Sequence, residues 1–432
     1  MTNYSATFHA WKVALKRYGV KDPVFGGFLA RGSDFEPGRN TEEEDWTGHT
    51  GTDSILIQSD RTSMNSEPEY EQAVEFGAGV EDYFAMALGI NSDGTVTSTT
   101  EGGVTTYTLG RNPGNYLPPA TLINSYYATQ TDASIFDDAF MNELGFTIDD
   151  NNPKFSCKFM ADADIRNQPN QSKDVAVSSK LNKGGIRVYL FDYLDANGEP
   201  TNITLSTFKE LSEAELELHE FECAKSIELN INNNFEAGEC INTVFGKSNA
   251  DKGNFEADGS MELKWNPNLE IDGQMHYGSA VIMDKWHSGV KNGARPTSQS
   301  LFQTLVIVCE GEKIPGTDTH YKLTILIPKV EIKEPEETLS GDENKTIQFN
   351  YELRTDASLK SPLDVEVVTS LAELHFGDTV NYGAIGDGIF DTKEDALDYV
   401  ARAFTGNEPT PAPTGGDDGN TSGDSTTDPK EP

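Results

Sequence analysis

Residues 226–236 read Ser-Ile-Glu-Leu-Asn-Ile-Asn-Asn-Asn-Phe-Glu, and residues 258–265 read Asp-Gly-Ser-Met-Glu-Leu-Lys-Trp. In the first stretch Ile227, Leu229 and Ile231 alternate with polar residues, which is the period of a β-strand with one buried face. Asparagines 232–234 end that strand, because asparagine tolerates left-handed backbone and bonds its own main chain. The second stretch alternates in the same way. Together they predict a β-hairpin or meander that contains no catalytic group.

Other apolar runs predict more strands on both sides of this hairpin, so the chain is predicted to be mainly β with a few helices, an α+β protein. The predicted strands are residues 53–58, 104–109, 155–159, 185–191, 304–309, 321–327 and 346–353. After Arg354 the β pattern fades.

Helical spacing of apolar residues predicts a helix over residues 76–88, with Val80, Phe84 and Leu88 on one face and Gly89 as its C-terminal cap. Similar reasoning predicts helices over residues 135–144 and 391–404 and a helix-compatible acidic region at 208–222. Residues 31–53 are polar and glycine-rich and are predicted to be a long loop. From residue 405 onward no large apolar residue occurs, so this acidic tail is predicted to be disordered.

The composition restricts the class of partner. The chain has 432 residues, enough for two to four domains, and a formal net charge of −38 from 33 basic and 71 acidic residues. Such a charge repels nucleic acids and anionic membranes. The N-terminus lacks the basic and apolar regions of a signal peptide, and no apolar run approaches the ~20 residues that cross a bilayer, so we expect a soluble chain made in a cytoplasm and no membrane partner.

Residues 1–20 are the one locally basic region, with Lys12, Lys16 and Arg17 among apolar residues. They fit a short helix or an arm that docks on an acidic neighbouring subunit, and an ordinary surface helix is the alternative.

No motif of enzymatic chemistry is present, and no catalytic, cofactor-binding or metal-binding residue is predicted. The seven histidines show no ligand spacing and are read as surface or interface residues. The four cysteines lie in or beside apolar runs and are predicted to be free buried thiols: Cys157, Cys223, Cys240 and Cys309. Four acidic clusters fit no EF-hand loop and are read as solvated charge, with a weak calcium site as the alternative: residues 42–45, 149–152, 162–164 and 387–391.

Two short motifs occur twice, about 200 residues apart. Residues 53–58 and 76–80 resemble residues 258–263 and 277–281 in order and spacing. This echo predicts an internal duplication, and a chance match of short motifs is the alternative.

Residues 226–234, the phenylalanine-glycine segment after them and Gly259-Ser-Met-Glu-Leu263 resemble the tail tube (major tail) proteins of long-tailed bacteriophages. The strands at 322–332 and 346–353 resemble the last strands of that family. The resemblance is best over residues 185–355, and residues 20–165 join it only through the internal echo. The chain departs from the common form in its length and in its C-terminal helix and acidic tail.

The resemblance implies a structural virion protein, located in the phage tail and made in the host cytoplasm. Its subunits would form stacked trimeric or hexameric rings that contact other tail proteins and conduct DNA through a negatively charged channel without binding it specifically. Residues 21–175 and 176–358 would then be two tube-like β-sandwich or barrel domains, each with a flanking helix. Residues 1–20 would be an arm, 359–404 a helical extension and 405–432 the tail. By the same resemblance the arm and the loop at 31–53 would make ring-to-ring contacts.

Two other classes stay open at this point. The runner-up is an extracellular β-sandwich protein that binds glycan or calcium, and the third is a glycan-processing β enzyme with two isolated carboxylates. Only the tube protein is expected to assemble end to end.

Overall fold

The computed structural model describes much of the chain between Ala10 and Phe390. The described residues are 10–15, 24–25, 28–30, 32–49, 54–112, 114–125, 133–149, 153–161, 165–168, 170, 179–181, 183–195, 199–221, 224–237, 250–251, 253–267, 269–271, 274–276, 278–287, 301–339, 345–355, 361–376, 378–379, 382–385 and 388–390.

Strands form most of the described structure. In the first half they are β1 (Ala10–Leu15), β2 (Val24–Phe25), β3 (Phe28–Ala30), β4 (Gly32–Glu36), β5 (Arg39–His49), β6 (Ser54–Ser66), β7 (Glu69–Ala73), β8 (Glu75–Phe76), β9 (Ser98–Glu101), β10 (Val104–Gly110), β11 (Ala120–Ser125), β12 (Ala133–Ile148), β13 (Lys154–Met160), β14 (Ile165–Gln168) and β15 (Ser179–Lys180). In the second half they are β16 (Ile186–Asp192), β17 (Ala224–Asn232), β18 (Glu236–Ala237), β19 (Ala250–Asp251), β20 (Glu256–Lys264), β21 (Leu269–Ile271), β22 (Gln274–His276), β23 (Leu301–Lys313), β24 (His320–Thr338), β25 (Thr346–Leu353), β26 (Asp364–Thr369), β27 (Asp378–Thr379), β28 (Tyr382–Ile385) and β29 (Gly388–Phe390).

The described helices are short. They are α1 (Val80–Leu88), α2 (Leu205–Glu210), α3 (Glu213–Glu217) and α4 (Ala280–His287). Thr204 and Ser212 cap α2 and α3 with capping boxes, which satisfy backbone N–H groups that have no partner inside a helix.

Eight antiparallel strands form one continuous sheet, which we call the shared sheet. Its order is β4-β7-β13-β12-β17-β20-β25-β24. The two longest strands in it also belong to other sheets through their first halves. These outer sheets are β3-β1-β11-β12-β14 and β16-β23-β24-β26-β10-β9.

The same set of pairings occurs twice along the chain. β1, β4, β7, α1, β11, β12, β13 and β14 recur in the same order as β16, β17, β20, α4, β23, β24, β25 and β26. In the first set, the first half of the long strand β12 pairs with β11 and β14, and its second half pairs with β13. In the second set, the first half of the long strand β24 pairs with β23 and β26, and its second half pairs with β25. We call the two sets repeat 1 and repeat 2. They meet where β12 pairs with β17.

The core lies between the shared sheet and the outer sheet of repeat 2. Helix α1 contacts β12 on one side and β10 and β26 on the other, and all nine of its residues are buried. Around it pack apolar side chains of both repeats, including Phe155, Leu229, Ile325 and Val367. A smaller cluster covers the opposite face of β16 and β23, where Leu205 and Phe208 of α2 pack on the sheet.

The hairpin predicted from residues 226–265 is confirmed. Ile227, Leu229 and Ile231 are buried and Glu228 is exposed, as the alternation requires. β17 ends at Asn232, whose Oδ1 accepts the backbone N–H of Asn234 at 2.7 Å, and Asn234 has a left-handed φ of 47°. The asparagine turn therefore forms by the bond that the sequence predicts.

Other predicted strands and helices are confirmed with changed limits. The strands predicted at 53–58, 104–109, 155–159, 185–191, 304–309, 321–327 and 346–353 correspond, from residue 54 in the first and residue 186 in the fourth, to β6, β10, β13, β16, β23, β24 and β25. The helix predicted at 76–88 begins at Val80 and is buried on every side rather than on one face. Gly89 ends it as expected, with a φ of 97°. The acidic region at 208–222 contains parts of α2 and α3.

The predicted helix at 135–144 is wrong, because these residues belong to β12. Asp138 has a left-handed φ of 47°, and the register with β13 shifts between Met141 and Glu143. A bulge interrupts the alternation of a strand, so Phe136, Phe140 and Leu144 fall at a spacing that imitates a helix.

The predicted loop at 31–53 is also wrong over its described residues 32–49, because these contain β4 and β5. β5 pairs with β6 alone among the described strands, and such a ribbon needs no apolar alternation. Residues 10–15 form β1 rather than a helix, and the fading of β structure after Arg354 is contradicted by β26. Of the echo, the described residues 76–80 and 278–281 do lead into α1 and α4. Residues 54–58, however, lie in the β5–β6 ribbon, while 258–263 lie in the shared sheet. The helix predicted at 391–404 and the tail at 405–432 lie outside the described residues.

Candidate assembly interface

The shared sheet has one apolar and one polar face. Its apolar face packs in the core, and the side chains that alternate with the core residues point away from it. Acidic groups outnumber basic ones on this polar face. Among its charged residues are Glu69, Glu71, Glu143, Lys154, Lys158, Lys225, Glu228, Glu256, Asp258, Glu262, Lys264, Glu331, Lys333 and Glu352.

Ion pairs between neighbouring strands cross this face. Lys154 Nζ lies 3.3 Å from Glu71 Oε2, and Lys225 Nζ lies 3.3 Å from Glu262 Oε1. Both pairs are substantially exposed, so each contributes little to stability. Glu228 has no cation against it among the described contacts and accepts instead from the Ser260 hydroxyl at 3.2 Å. The sequence predicted Glu228 on the polar side of this strand, and that placement is confirmed.

Both ends of the shared sheet carry an edge without a partner among the described strands. β4 pairs with β7 through one edge alone. β24 pairs with β23 up to Ile332, and for residues 333–338 the same edge has no described partner. An exposed strand edge is a template for pairing with another chain.

The two edges match each other through the repeat. Where repeat 1 joins repeat 2, the second half of β12 pairs with β17. The second half of β24 is the counterpart of that part of β12, and β4 is the counterpart of β17. One end of the shared sheet therefore carries a strand equivalent to β12, and the other end carries a strand equivalent to β17. We call the pairing of two such strands a joint.

The ribbon of β5 and β6 is the second prominent surface. Its strands are 11 and 13 residues long, so it reaches about 36 Å at about 3.3 Å per residue. In the described part of the chain it makes no extended contact with another element. An isolated two-stranded ribbon is marginally stable in water, so this one is suited to packing against another molecule.

A buried polar cluster lies on α1. Glu81 and Asp82 are both fully buried, and both Glu81 oxygens accept the Gly77 N–H, at 2.9 and 3.1 Å. Asp82 Oδ1 accepts the backbone N–H of His375 at 2.8 Å, and Asp82 Oδ2 lies 2.8 Å from His375 Nδ1. Burial, and then the charge of Asp82, raise the pKa of Glu81 to about 7.

The reading of histidines as surface residues missed this cluster. Asp82 and His375 are 293 residues apart, and no local pattern connects them. Another buried charge is Arg111, which stacks 4.9 Å from the Phe255 ring and has guanidinium nitrogens without a hydrogen-bond partner among the described residues. Burial lowers the pKa of Arg111 to about 10.

The cysteines, the basic residues near the N-terminus and the acidic clusters are described only in part. Cys157 and Cys309 are free and buried, as predicted, while Cys223 and Cys240 lie outside the described residues. The side chains of residues 12, 16, 17 and 42–45 are not among those described, nor are most residues of the acidic clusters at 149–152, 162–164 and 387–391. Within the described residues, no group of three or more histidine, cysteine, aspartate or glutamate side chains is placed to hold a metal ion.

Two comparisons by sequence, with family models and with curated proteins, found no match for this chain. The chain matches no model of a known protein family, and no curated protein is significantly similar to it in sequence. Among the described helices, none combines the length and the apolar character needed to cross a lipid bilayer.

Proposed function

We propose that this chain is a phage tail tube subunit, a structural virion protein that assembles into stacked rings around a DNA-conducting channel. The observation that carries the proposal is the shared sheet. It joins two equivalent four-stranded units edge to edge and presents the two halves of the same joint at its ends.

The pairing of β12 with β17 inside one chain shows how two copies would pair with each other. β24 of one copy pairs with β4 of the next copy as β12 pairs with β17. This interface is head-to-tail, and a head-to-tail interface closes into a ring when its rotation divides a full turn. Closure removes both free edges.

Three copies give a ring of suitable size. They supply about 24 strands, and at about 4.8 Å per strand the backbone circle is about 37 Å across before strand tilt widens it. The two repeats within each copy then make a trimer equivalent to a ring of six units. This reading includes the two tube-like domains predicted over residues 21–175 and 176–358, extended by β1 and β26.

The polar face of the shared sheet lines the channel. Its excess of carboxylates repels the phosphates of DNA, whereas a basic lining would bind them through counterion release. The β5–β6 ribbon extends from between β4 and β7 and contacts the neighbouring ring or another tail protein.

A paired cysteine substitution tests the joint. Thr338 and Thr147 occupy equivalent positions, because each lies where its long strand starts to pair with the next strand, β25 or β13. Glu36 and Glu228 are also equivalent, because Glu36 pairs with Glu69 of β7 as Glu228 pairs with Ser260 of β20. Since Thr147 is opposite Glu228, the joint between copies places Thr338 opposite Glu36. Opposite residues of antiparallel strands have Cα atoms about 4.5 or 5.5 Å apart, within the range that a disulfide spans.

The double variant Glu36→Cys/Thr338→Cys is expected to give covalent dimers and trimers under oxidising conditions, and no larger species. Negative-stain electron microscopy is expected to show hollow tubes or stacked rings, and light scattering a ring mass three times the 47.3 kDa of one chain. The matched control is Glu36→Cys/Asp318→Cys, because Asp318 is exposed in the turn before β24, at the opposite end of that strand from Thr338, and is expected not to cross-link. Tubes without the Glu36–Thr338 cross-link would refute this joint, and a concentrated chain that neither cross-links nor assembles would refute the function.

A further inference from the structure

A strap of residues 370–376 follows β26 and crosses α1. Its contacts include the Tyr107 hydroxyl, which donates to the Leu371 carbonyl at 2.9 Å, and a hydrogen bond of 2.8 Å between Tyr321 and Ser370. Leu374 is buried, and His375 reaches Asp82 with both its backbone N–H and its ring. The strap therefore contacts the core at several points, and its contact with Asp82 is an ion pair when His375 is protonated.

The strap connects the two repeats. Beyond it, β27 pairs with β2, and β28 lies against β14 of repeat 1. The chain thus leaves the outer sheet of repeat 2 at β26 and reaches the outer sheet of repeat 1. A contact that holds the strap on α1 therefore also fixes the first part of this connection between the two repeats.

The charge of the cluster depends on pH. Burial lowers the pKa of His375, but the charge of Asp82 and its hydrogen bond outweigh burial and raise this pKa above its usual value. Together with the pKa of about 7 for Glu81, this leaves Glu81 protonated and His375 cationic on the acid side. On the alkaline side Glu81 is charged, next to the buried Asp82, and the imidazole of His375 is neutral.

The groups around the cluster do not compensate this change. Tyr70 on β7, Tyr107 on β10 and Cys157 on β13 stay uncharged, because burial raises the pKa of each. On β8, Glu75 is itself acidic and has Lys180 Nζ at 4.0 Å. Glu373 on the strap adds a further acidic group. Among the described residues facing the cluster, His375 is the group that supplies positive charge to Asp82.

We propose that Asp82, Glu81 and His375 form a pH-sensitive latch that holds the strap on α1 at acidic pH and releases it at alkaline pH. Glu81 and His375 both have raised pKa values in the folded chain, so their contribution is present at low pH and is lost as pH rises through those values. The latch belongs to a single chain, so it does not depend on ring assembly.

Hydrogen exchange measured by mass spectrometry at pH 6 and pH 9 tests the latch, with rates corrected for the intrinsic effect of pH. In the wild-type chain we expect peptides covering residues 370–376 to lose at least about tenfold in protection at pH 9. Peptides of β23 and β24 are the internal control and are expected to keep their protection. Equal protection of the strap at both pH values would overturn the proposal.

Variants separate the latch from general alkaline loosening. Glu81→Gln and His375→Gln each remove one titrating group and are expected to reduce the ratio of strap protection between pH 6 and pH 9. The double variant is expected to bring that ratio close to one. His320→Gln, at the half-exposed start of β24, is the matched control and is expected to keep the wild-type ratio. If the double variant does not fold, Glu81→Gln alone decides: an unchanged ratio in that variant overturns the latch.

Discussion

Asn233 shows how a single buried amide joins distant parts of the chain. Its Nδ2 donates to the Ala87 carbonyl at the end of α1, at 3.1 Å, and to the Met141 carbonyl of β12, at 3.0 Å. The side chain is fully buried in the asparagine turn that ends β17. It therefore connects the hairpin of repeat 2 to the helix and the long strand of repeat 1.

Asn233→Ala is expected to lower the free energy of unfolding by about 2–3 kcal/mol, because it leaves two buried carbonyls without this donor. Chemical denaturation monitored by circular dichroism measures the change. Asn230→Ala is the control, since Asn230 lies on β17 just before this turn and its Nδ2 donates to the exposed Glu228 at 3.3 Å. Its cost is expected to be below about 0.5 kcal/mol. Equal effects of the two substitutions would contradict the role of Asn233.

Glu81 gives a prediction about stability and pH. Its pKa rises from an ordinary value of 4.5 to about 7 on folding, so the wild-type chain is expected to lose up to about 3 kcal/mol as pH rises from about 4 to about 8. Glu81→Gln removes this loss, and its advantage over wild type in denaturation midpoint is expected to grow with pH. Parallel pH profiles for the two proteins would show that Glu81 is not the titrating group.

At the scale of elements, β17, β20 and β25 are held in register by a glycine and a tyrosine. The Tyr351 hydroxyl on β25 donates to the Glu228 carbonyl on β17 at 2.6 Å, across Gly259 of β20. A Cβ at Gly259 would collide with both of those oxygen atoms. The bond exists because β20 has no side chain at this position.

Gly259→Ala is expected to destabilise the chain more than Tyr351→Phe, because the first substitution displaces backbone and the second removes one hydrogen bond worth about 1 kcal/mol. Ser260→Ala, one residue along the same strand, is the control and is expected to change the unfolding midpoint little. Thermal unfolding compares the three. A Gly259→Ala chain as stable as wild type would mean that the strands separate here without cost.

Local patterns predicted the elements of repeat 2 well and those of repeat 1 less well. β17, β20, β23, β24 and β25 alternate or are continuously apolar, so their period is visible in the sequence. β12 carries a bulge, and β5 pairs in a ribbon outside the core, so neither shows a clean period. β26 is six residues long and follows a polar stretch, which concealed it.

Contacts between distant residues could not be predicted from one sequence. Nothing near His375 indicates that Asp82 is its partner, and Glu81 and Asp82 resemble the solvated carboxylates found elsewhere in an acidic chain. The repeat was indicated by short motifs, but one of the two motif pairs aligns strands that are not equivalent in the fold. Repeat 1 and repeat 2 are equivalent in the order in which their strands pair, and this order cannot be read from the spacing of residues in the sequence.

At the scale of the whole molecule, the charge of the polar face has a testable effect on DNA. Replacing Glu228 and Asp258 by Lys is expected to make assembled tubes retain double-stranded DNA, with retention falling steeply as salt rises. Under the proposed tail tube function, the same change is expected to slow genome ejection. Co-sedimentation of tubes with DNA over a salt series measures the retention.

The control reverses the same number of charges elsewhere. Glu213 and Glu217 lie on the exposed helix α3, away from the shared sheet, and their replacement by Lys is expected to leave DNA retention close to that of wild type. If both double variants retain DNA equally, the polar face does not line the channel.

The pairing of β12 with β17 has a kinetic consequence for a ring. Because both strands belong to one chain, half of the joints form during folding, at an effective concentration set by the connecting chain and not by the number of copies in solution. Ring closure then requires fewer molecular encounters than assembly from separate single units, and its rate depends on a lower power of protein concentration. For the proposed ring, we therefore expect a chain that carries both units to begin assembly at a lower protein concentration than separate single units would need.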